Sequence, residues 1–548
     1  MWLNGNIKLF FGLIMLLCAI GCSSTTNKHA KEQEQMQPNI VLIVADDLGY
    51  GDLSCYGATK ISTPAIDSLA REGMKFNKAY VTSSLCSPSR YSLLTGEYSW
   101  RSRLKYGVIK YYEKPLISQD QMTLASMLKQ NGYTTACVGK WHLGLDWPLK
   151  QEAMEEPGKQ IFDTWQNGID QYVDFTKQVQ NGPIALGFDY FYGIAGSNNM
   201  QPYVIIENDQ VTMAPSVQDK AYDHYNAALR APNWKINTLN MDFTNKAVDV
   251  IDSHFRSDSE KPLFLYFPTS AIHRPSLPTF TKGKSQAGLR GDIVEELDWT
   301  VAQVVKALKT NNALENTLLI FTSDNGPRAG DPAFWMEEYE SGEYEDFHQD
   351  YFDEYQPELV NEDGNKIWKK GWYTYGHSAS GNFLGFKSDA WEGGLRVPFI
   401  AHWPGKINPG ISDNIICNVD IYATIADMLD LKIDDGQAPD SYSFLSNLLG
   451  EDVSQVRESL VISGGASGAM VAVKDDWKYI EASEEGRWPQ TFYPEGPSIY
   501  DEQLYRLDED VFESNNRLTE YPEIVKDLKK LIGKVQSGGG TEASIKLN

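Results

Sequence analysis

Three uninterrupted apolar runs punctuate the chain: "NIVLIVA" at 39–45, "LFLYF" at 263–267 and "TLLIFTS" at 317–323. They are too short to span a bilayer and lack the polar alternation of a half-exposed strand, so they predict strands buried on both faces. Amphipathic patterns lie between them. "STPAIDSLAREG" offers Thr63 as N-cap, Pro64 in the first turn, Ile66, Leu69 and Ala70 on one face and Gly73 as the stop, which predicts a helix. Strands alternating with such helices predict an α/β sheet flanked by helices. From about residue 455 the pattern changes, and "SLVISGG", "AMVAVKDDWKYIEA" and "LYRLDED" read as short strands broken by turns. A last helix follows, with Ile524, Leu528, Leu531, Ile532 and Val535 at helical spacing. The expected division is a larger domain at 39–454 and a smaller α+β domain at 455–548, with no internal repeat.

The first residues form their own unit. Lys8 precedes the apolar "LFFGLIMLL", and "AIGC" ends on Cys22, the pattern of a lipoprotein signal at 1–21 with lipid on Cys22. The apolar stretch falls short of the roughly 20 residues of a membrane span. The polar run after Cys22 reads as a flexible tether, so 22–38 would link lipid to domain. The expectation is an exported lipoprotein of a bacterial cell envelope, attached to the membrane through its lipid alone. Of six cysteines, Cys18 would leave with the signal and Cys22 would carry lipid. The remaining Cys55, Cys86, Cys137 and Cys417 make no disulfide framework.

Charge narrows the partners. With 74 Asp and Glu against 49 Lys and Arg, the net charge of −25 argues against nucleic acid. It does not exclude an anionic substrate, because exposed charges are screened beyond about 8 Å and a few cations inside a pocket still decide binding. The stretch at 331–364 is acidic and aromatic without a Lys or Arg, and reads as a solvated insertion with aromatic anchors.

Ligands of open α/β sheets bind beyond the carboxyl ends of the strands, and the unusual residues stand there. The first run delivers "DDLG" with Asp46 and Asp47, and the run at 317–323 delivers "DNG" with Asp324 and Asn325. Singly each is a turn. Together they form an all-oxygen site for a hard cation, Ca²⁺ ahead of Mg²⁺, and the absence of histidine from both motifs argues against zinc. "TTACVGKWHLG" places Lys140 and His142 on the same side if the chain stays extended. "LFLYFPTSAIHRP" ends near His273, and "GFKSDAWEGGLRVPF" provides Lys387. Two ammonium groups, two imidazoles and a divalent cation suit an anionic, tetrahedral group.

Cys86 opens "CSPSRYSLLTG", where Pro88 suits a first helical turn and sets the thiol at the positive end of a helix dipole. This stretch matches the Cys-x-Pro-Ser-Arg and Leu-Thr-Gly signature, and the chain resembles the type I, formylglycine-dependent sulfatases. The resemblance runs in order through "NIVLIVADDLGYGDLSCYG", "GKWHLG", "AIHRP", "FTSDNG" and "GFKSDAWEGGLRVPF". "LGFDYFYGIAGSNNMQPYVIIEND" is similar to the arylsulfatase A and N-acetylgalactosamine-6-sulfatase branch and to bacterial polysaccharide sulfatases.

The resemblance implies an alkaline phosphatase-like α/β fold, a large mixed sheet flanked by helices with a smaller C-terminal α+β domain. It implies that a maturase oxidises Cys86 to formylglycine. It also implies Ca²⁺ held by Asp46, Asp47, Asp324 and Asn325 with the modified Cys86, Arg90 on the hydrated aldehyde, and Lys140 and Lys387 on sulfate oxygens. His142 would act at the nucleophile and His273 at the leaving group. In the implied chemistry one aldehyde-hydrate hydroxyl attacks sulfur, the alcohol leaves with a proton from His273, and His142 takes the second hydroxyl's proton to expel sulfate. The implied substrate is a sulfated polysaccharide, a glycosaminoglycan or an algal polymer such as ulvan or carrageenan. A formylglycine-dependent phosphonate or phosphate ester hydrolase and a non-catalytic surface glycan-binding protein are the alternative readings.

Overall fold

The computed structural model describes residues 37–151, 169–218, 229–257, 259–274, 278–328, 376–451, 454–483 and 501–538, with short backbone segments between 359 and 374. The signal, Cys22 and most of the tether lie outside the described residues, as does the 331–364 insertion apart from a two-residue strand at 359–360.

All three apolar runs are strands, and each is buried along its whole length. They belong to a ten-stranded mixed sheet. In chain order its strands are β1 (Asn39–Ala45), β2 (Met74–Phe76), β3 (Thr134–Lys140), β4 (Tyr190–Ile194), β5 (Ile206–Glu207), β6 (Gln210–Val211), β7 (Leu263–Pro268), β8 (Thr317–Ser323), β9 (Phe399–His402) and β10 (Gly410–Ser412). They lie side by side as β10-β2-β9-β8-β1-β7-β3-β4-β5-β6. The central five, β8, β1, β7, β3 and β4, are parallel, so their carboxyl ends share one edge. The antiparallel pairings β9 with β8 and β5 with β4 make the sheet mixed.

The helix expected after Thr63 is α1 (Pro64–Glu72), ending at Gly73. Thr63 occupies the N-cap position but donates to the Asp67 carboxylate at 3.0 Å. The first amides of α1 are instead capped by Asp298, which accepts from Ala65 N at 3.2 Å and Ile66 N at 2.8 Å. A cap supplied by a distant helix satisfies the same orphan donors as a local one. Cys86 opens α2 (Cys86–Thr95), a helix buried at every position. Two long helices follow, α3 (Leu239–Arg256) and α4 (Gly288–Thr310), the latter carrying Asp298 and packing on both α1 and α3.

The C-terminal strands β11 (Ser459–Ser463), β12 (Met470–Lys474), β13 (Trp477–Ile480) and β14 (Gln503–Arg506) form a separate antiparallel sheet in sequence order. The last helix, α5 (Pro522–Gln536), buries Val525, Leu528, Ile532 and Val535, while Ile524 and Leu531 are only partly covered. The second core is shared. Val461, Val471 and Tyr479 of the small sheet pack in one cluster with Tyr80, Tyr98, Trp391 and Leu395. Cys55, Cys86, Cys137 and Cys417 are all unpaired thiols.

Candidate active site

Neighbouring parallel strands end together, and their next residues form one site. Asp46 and Asp47 follow β1, Asp324 and Asn325 follow β8, Lys140 closes β3, and His273 lies in the turn after β7. Backbone hydrogen bonds lock these ends to each other. Asp324 N donates to Ala45 O at 3.1 Å, Asp46 N to Ala271 O at 2.8 Å and Ile272 N to Asp46 O at 2.7 Å. Asp46, Asp47, Cys86, Arg90, Lys140, His142, His273, Asp324 and Asn325 are each 4% exposed or less. Lys387 is partly exposed.

The cations sit on the carboxylates. Lys140 Nζ donates to both Asp46 oxygens, at 2.9 and 2.7 Å. Lys387 Nζ lies 2.6 Å from Asp47 Oδ1 and 3.1 Å from Cys86 Sγ. Arg90, one helical turn after Cys86, donates through Nε and Nη2 to Asp324 Oδ2 at 2.9 and 2.7 Å, and through Nη1 to Lys140 O at 3.1 Å. Cys86 Sγ is 3.8 Å from Asp46 Oδ1.

The two histidines carry opposite tautomers. His142 Nε2 is 2.9 Å from the Ile109 carbonyl, which can only accept, so the ring proton is on Nε2. Its Nδ1 is buried without a hydrogen-bond partner. His273 Nδ1 faces the Arg274 carbonyl at 2.6 Å and Asn198 Oδ1 at 3.0 Å, so there the proton is on Nδ1. His273 Nε2 lies 3.8 Å from Asp47 Oδ2. The extended path expected from Lys140 to His142 is not followed: β3 ends at Lys140 and His142 has φ 58°, so the chain turns and side-chain alternation does not apply.

Burial governs the titrations. It pushes the Cys86 thiol up to about 12 against the pull of Lys140 and Lys387, so the thiol is protonated at neutral pH. Burial drives His142 well below the ordinary imidazole value, helped by Lys140, Arg90 and Lys387. It does the same to His273, joined by Lys387 and opposed by Asp47. Burial also raises Asp46 to about 7 in spite of Lys140. At Asp47 the burial is outweighed by Lys387, with His273 and Lys140, and the carboxyl stays below the usual range.

The donor set fits a hard cation. Asp47 Oδ2 and Asn325 Oδ1 are buried oxygens without a hydrogen-bond partner, and an unmet buried oxygen is costly unless something binds it. Asn325 itself is oriented by its Nδ2, which donates to Asp47 Oδ1 at 2.8 Å. Donor atoms of Asp46, Asp47, Cys86 and His273 lie within 4.8 Å of one another. His273 thus adjoins the carboxylates from the turn after β7, with Nε2 3.8 Å from Asp47 Oδ2, a neighbourhood that neither acidic motif reveals. Asp324 is adjacent, with Oδ2 engaged by Arg90 and Oδ1 receiving Asp47 N at 3.2 Å.

The sequence reading missed Asn198, whose Nδ2 also donates to His273 O at 2.9 Å. It missed Asp52, Arg290 and His377, a buried cluster directly behind the Asp46–Asp47 turn. Asp52 and Asn198 stand inside the stretches that carry the family resemblance, which is the signal that pointed at them, but nothing in the sequence says what they touch; Arg290 and His377 lie outside those stretches, and only the fold brings all four to the site.

The family model described as "Sulfatase" matches residues 38–431. The chain is 32% identical over 555 residues to an N-acetylgalactosamine-6-O-sulfatase of Bacteroides thetaiotaomicron, covering 94% of this chain and 96% of that protein. It is 30% identical over 402 residues to arylsulfatase A of Homo sapiens, covering 71% and 63%. A solved structure described under the metabolism of multiple glycosaminoglycans by Bacteroides thetaiotaomicron superposes with a TM-score of 0.74 at 32% identity, covering 92% of this chain and 100% of that one.

Proposed function

Because the chain belongs to the sulfatase family, as the match over residues 38–431 shows, we propose that this enzyme removes an O-sulfate group from a sulfated carbohydrate, using formylglycine at position 86 and Ca²⁺ at the strand ends. One observation carries the reading. Cys86 is buried at a helix N-terminus with Sγ 3.1 Å from Lys387 Nζ and 3.8 Å from Asp46 Oδ1, where the carboxylates and lysines of the strand ends meet. Burial raises the thiol in spite of those lysines, the wrong direction for a thiolate nucleophile, so the position fits a precursor that a maturase converts to another group.

Asp46, Asp47, Asp324, Asn325 and the modified residue 86 would hold the cation. When bound, Ca²⁺ supplies charge stabilisation to the sulfate oxygens, and the hydrated aldehyde supplies the attacking hydroxyl. The chain's own groups do the rest. Arg90 reaches from the same helix face to hold residue 86 in place, and Lys140 and Lys387 meet the sulfate's negative charge. His142 accepts a proton at Nδ1, its unpaired nitrogen. His273 acts as the imidazolium, a form favoured by Asp47 and by the bound sulfate's negative charge: with Nδ1–H committed to carbonyl-type acceptors, it would deliver its Nε2 proton to the departing alcohol and return to the neutral Nδ1–H ring. Burial of the set excludes competing water.

The Bacteroides thetaiotaomicron N-acetylgalactosamine-6-O-sulfatase, aligned over nearly the whole of both chains, supports a 6-O-sulfated amino sugar as substrate, and the structural neighbour described under glycosaminoglycan metabolism supports a glycosaminoglycan over an algal polymer. Membrane attachment through lipid on Cys22 would place the enzyme in the cell envelope. The test is sulfate release from glycosaminoglycan and algal oligosaccharides by matured wild type beside Cys86→Ala, with matched phosphonate esters in parallel. Release of 6-O-sulfate by wild type, reduced to background in a folded Cys86→Ala variant, is the expected result. Equal release by that variant overturns the formylglycine reading. Preference for the phosphonates would favour the phosphonate hydrolase alternative.

A further inference from the structure

We infer that Asn198 is a positioning residue for His273, holding the imidazole with Nε2 facing the leaving-group oxygen. The inference rests on the proton-donating role proposed above for His273.

Asn198 lies in the loop after β4 and His273 in the turn after β7, strands separated in the sheet by β3. Their contact bridges two loops that no backbone ladder joins. Asn198 Nδ2 donates to the His273 carbonyl at 2.9 Å. That carbonyl only accepts, so the amide orientation is determined and Oδ1 must be the atom at 3.0 Å from His273 Nδ1. The carboxamide thus grips both the backbone and the ring of one residue. It is 3% exposed, where a polar group is tolerated only if bonded.

The second acceptor on Nδ1, the Arg274 carbonyl at 2.6 Å, belongs to the adjoining peptide unit. It fixes the tautomer from within the same turn. Asn198 reaches the ring from a different loop and so ties it to the end of β4. With Nδ1 held from behind, Nε2 is presented on the Asp47 side, 3.8 Å from Oδ2. A general acid contributes only when its proton lies in line with the departing oxygen, and a displacement of about 1 Å costs on the order of 100-fold.

The test uses matured full-length enzyme and the sulfated sugar that wild type hydrolyses. Asn198→Ala should lower kcat by about 10- to 100-fold with KM within about threefold, assayed well below its own melting temperature because the unsatisfied His273 carbonyl lowers that temperature as well. Asn198→Asp keeps the acceptor beside Nδ1 but sets an oxygen against the His273 carbonyl, so it should recover part of the kcat loss. A kcat within about threefold of wild type, a rise in KM that accounts for the loss, or an Asp variant no better than Ala overturns the inference. His273→Ala separates the two levels. If it turns over like wild type, the role of His273 falls and this inference with it. If it is crippled while Asn198→Ala is not, only the inference falls.

Discussion

Asp52 shows what a single buried carboxylate can do for the turn that carries Asp46 and Asp47. Its Oδ2 accepts from Gly49 N at 2.7 Å and Arg290 Nη2 at 2.6 Å, and its Oδ1 from Arg290 Nε and His377 Nε2, both at 2.9 Å. Burial opposes ionisation, but Arg290 and His377 outweigh it and hold the carboxyl at about 2 against an ordinary 3.8. A folded-state value below the unfolded one means stabilisation that is full above about pH 4 and lost as pH falls towards 2. Its size is about 2 kcal/mol. Asp52→Asn should therefore melt well below wild type at pH 7, and the gap should narrow to about a third as both are titrated to pH 2.5. A gap independent of pH would show that the loss is steric rather than ionic. The neighbouring glycine is equally constrained, since a Cβ on Gly49 would lie 2.1 Å from Ala379 O.

At the scale of elements, the apolar runs were legible because strands covered on both faces need no polar alternation, and all three appear where the sequence places them. The start of α1 was legible in position and not in mechanism, since Asp298 caps it from another helix. For α5 the spacing gave the helix, but Val525 rather than Ile524 faces the core. Invisible beforehand was how the small sheet grips the segment after Lys387. Lys478 of β13 is fully buried between Glu392 at 3.0 Å and Glu513 at 2.8 Å. Glu513 also accepts from Glu392 N at 2.7 Å, and Gln503 of β14 accepts from Trp391 Nε1 at 2.8 Å. Removing one partner of a buried ion cluster strands the others, at about 3–5 kcal/mol. Lys478→Met should lower the melting temperature sharply. Adding Glu392→Gln should then cost less than it does in wild type, because the two act on one network. Additive melting shifts in that cycle would mean that the ion cluster does not couple the small sheet to this segment.

Across the whole molecule, the sequence showed which residues bear chemistry and not which of them meet. Asp46 and Asp324 are far apart along the chain, and only the parallel pairing of β1 with β8 sets Ala45 beside Ser323 and so brings the two acidic ends together. Asn198 stayed hidden for the same reason, because the order β7-β3-β4 decides which loops adjoin. Charge also reads differently at the two scales. The chain carries a net −25, yet at the site the carboxylates of Asp46, Asp47 and Asp324 face Lys140, Lys387 and Arg90 at 2.6 to 2.9 Å. Buried charges that balance locally do not need a further cation to keep the fold together. Chelation should therefore abolish sulfate release while leaving far-UV and near-UV circular dichroism intact, and added Ca²⁺ should restore turnover. The unfolding free energy should fall only by the ligand-linkage contribution, about 4 kcal/mol for a cation held at a thousand times its Kd, with the melting temperature following it down. Cooperative unfolding on chelation would mean that the cation, and not the lysine and arginine pairing, holds the strand ends together.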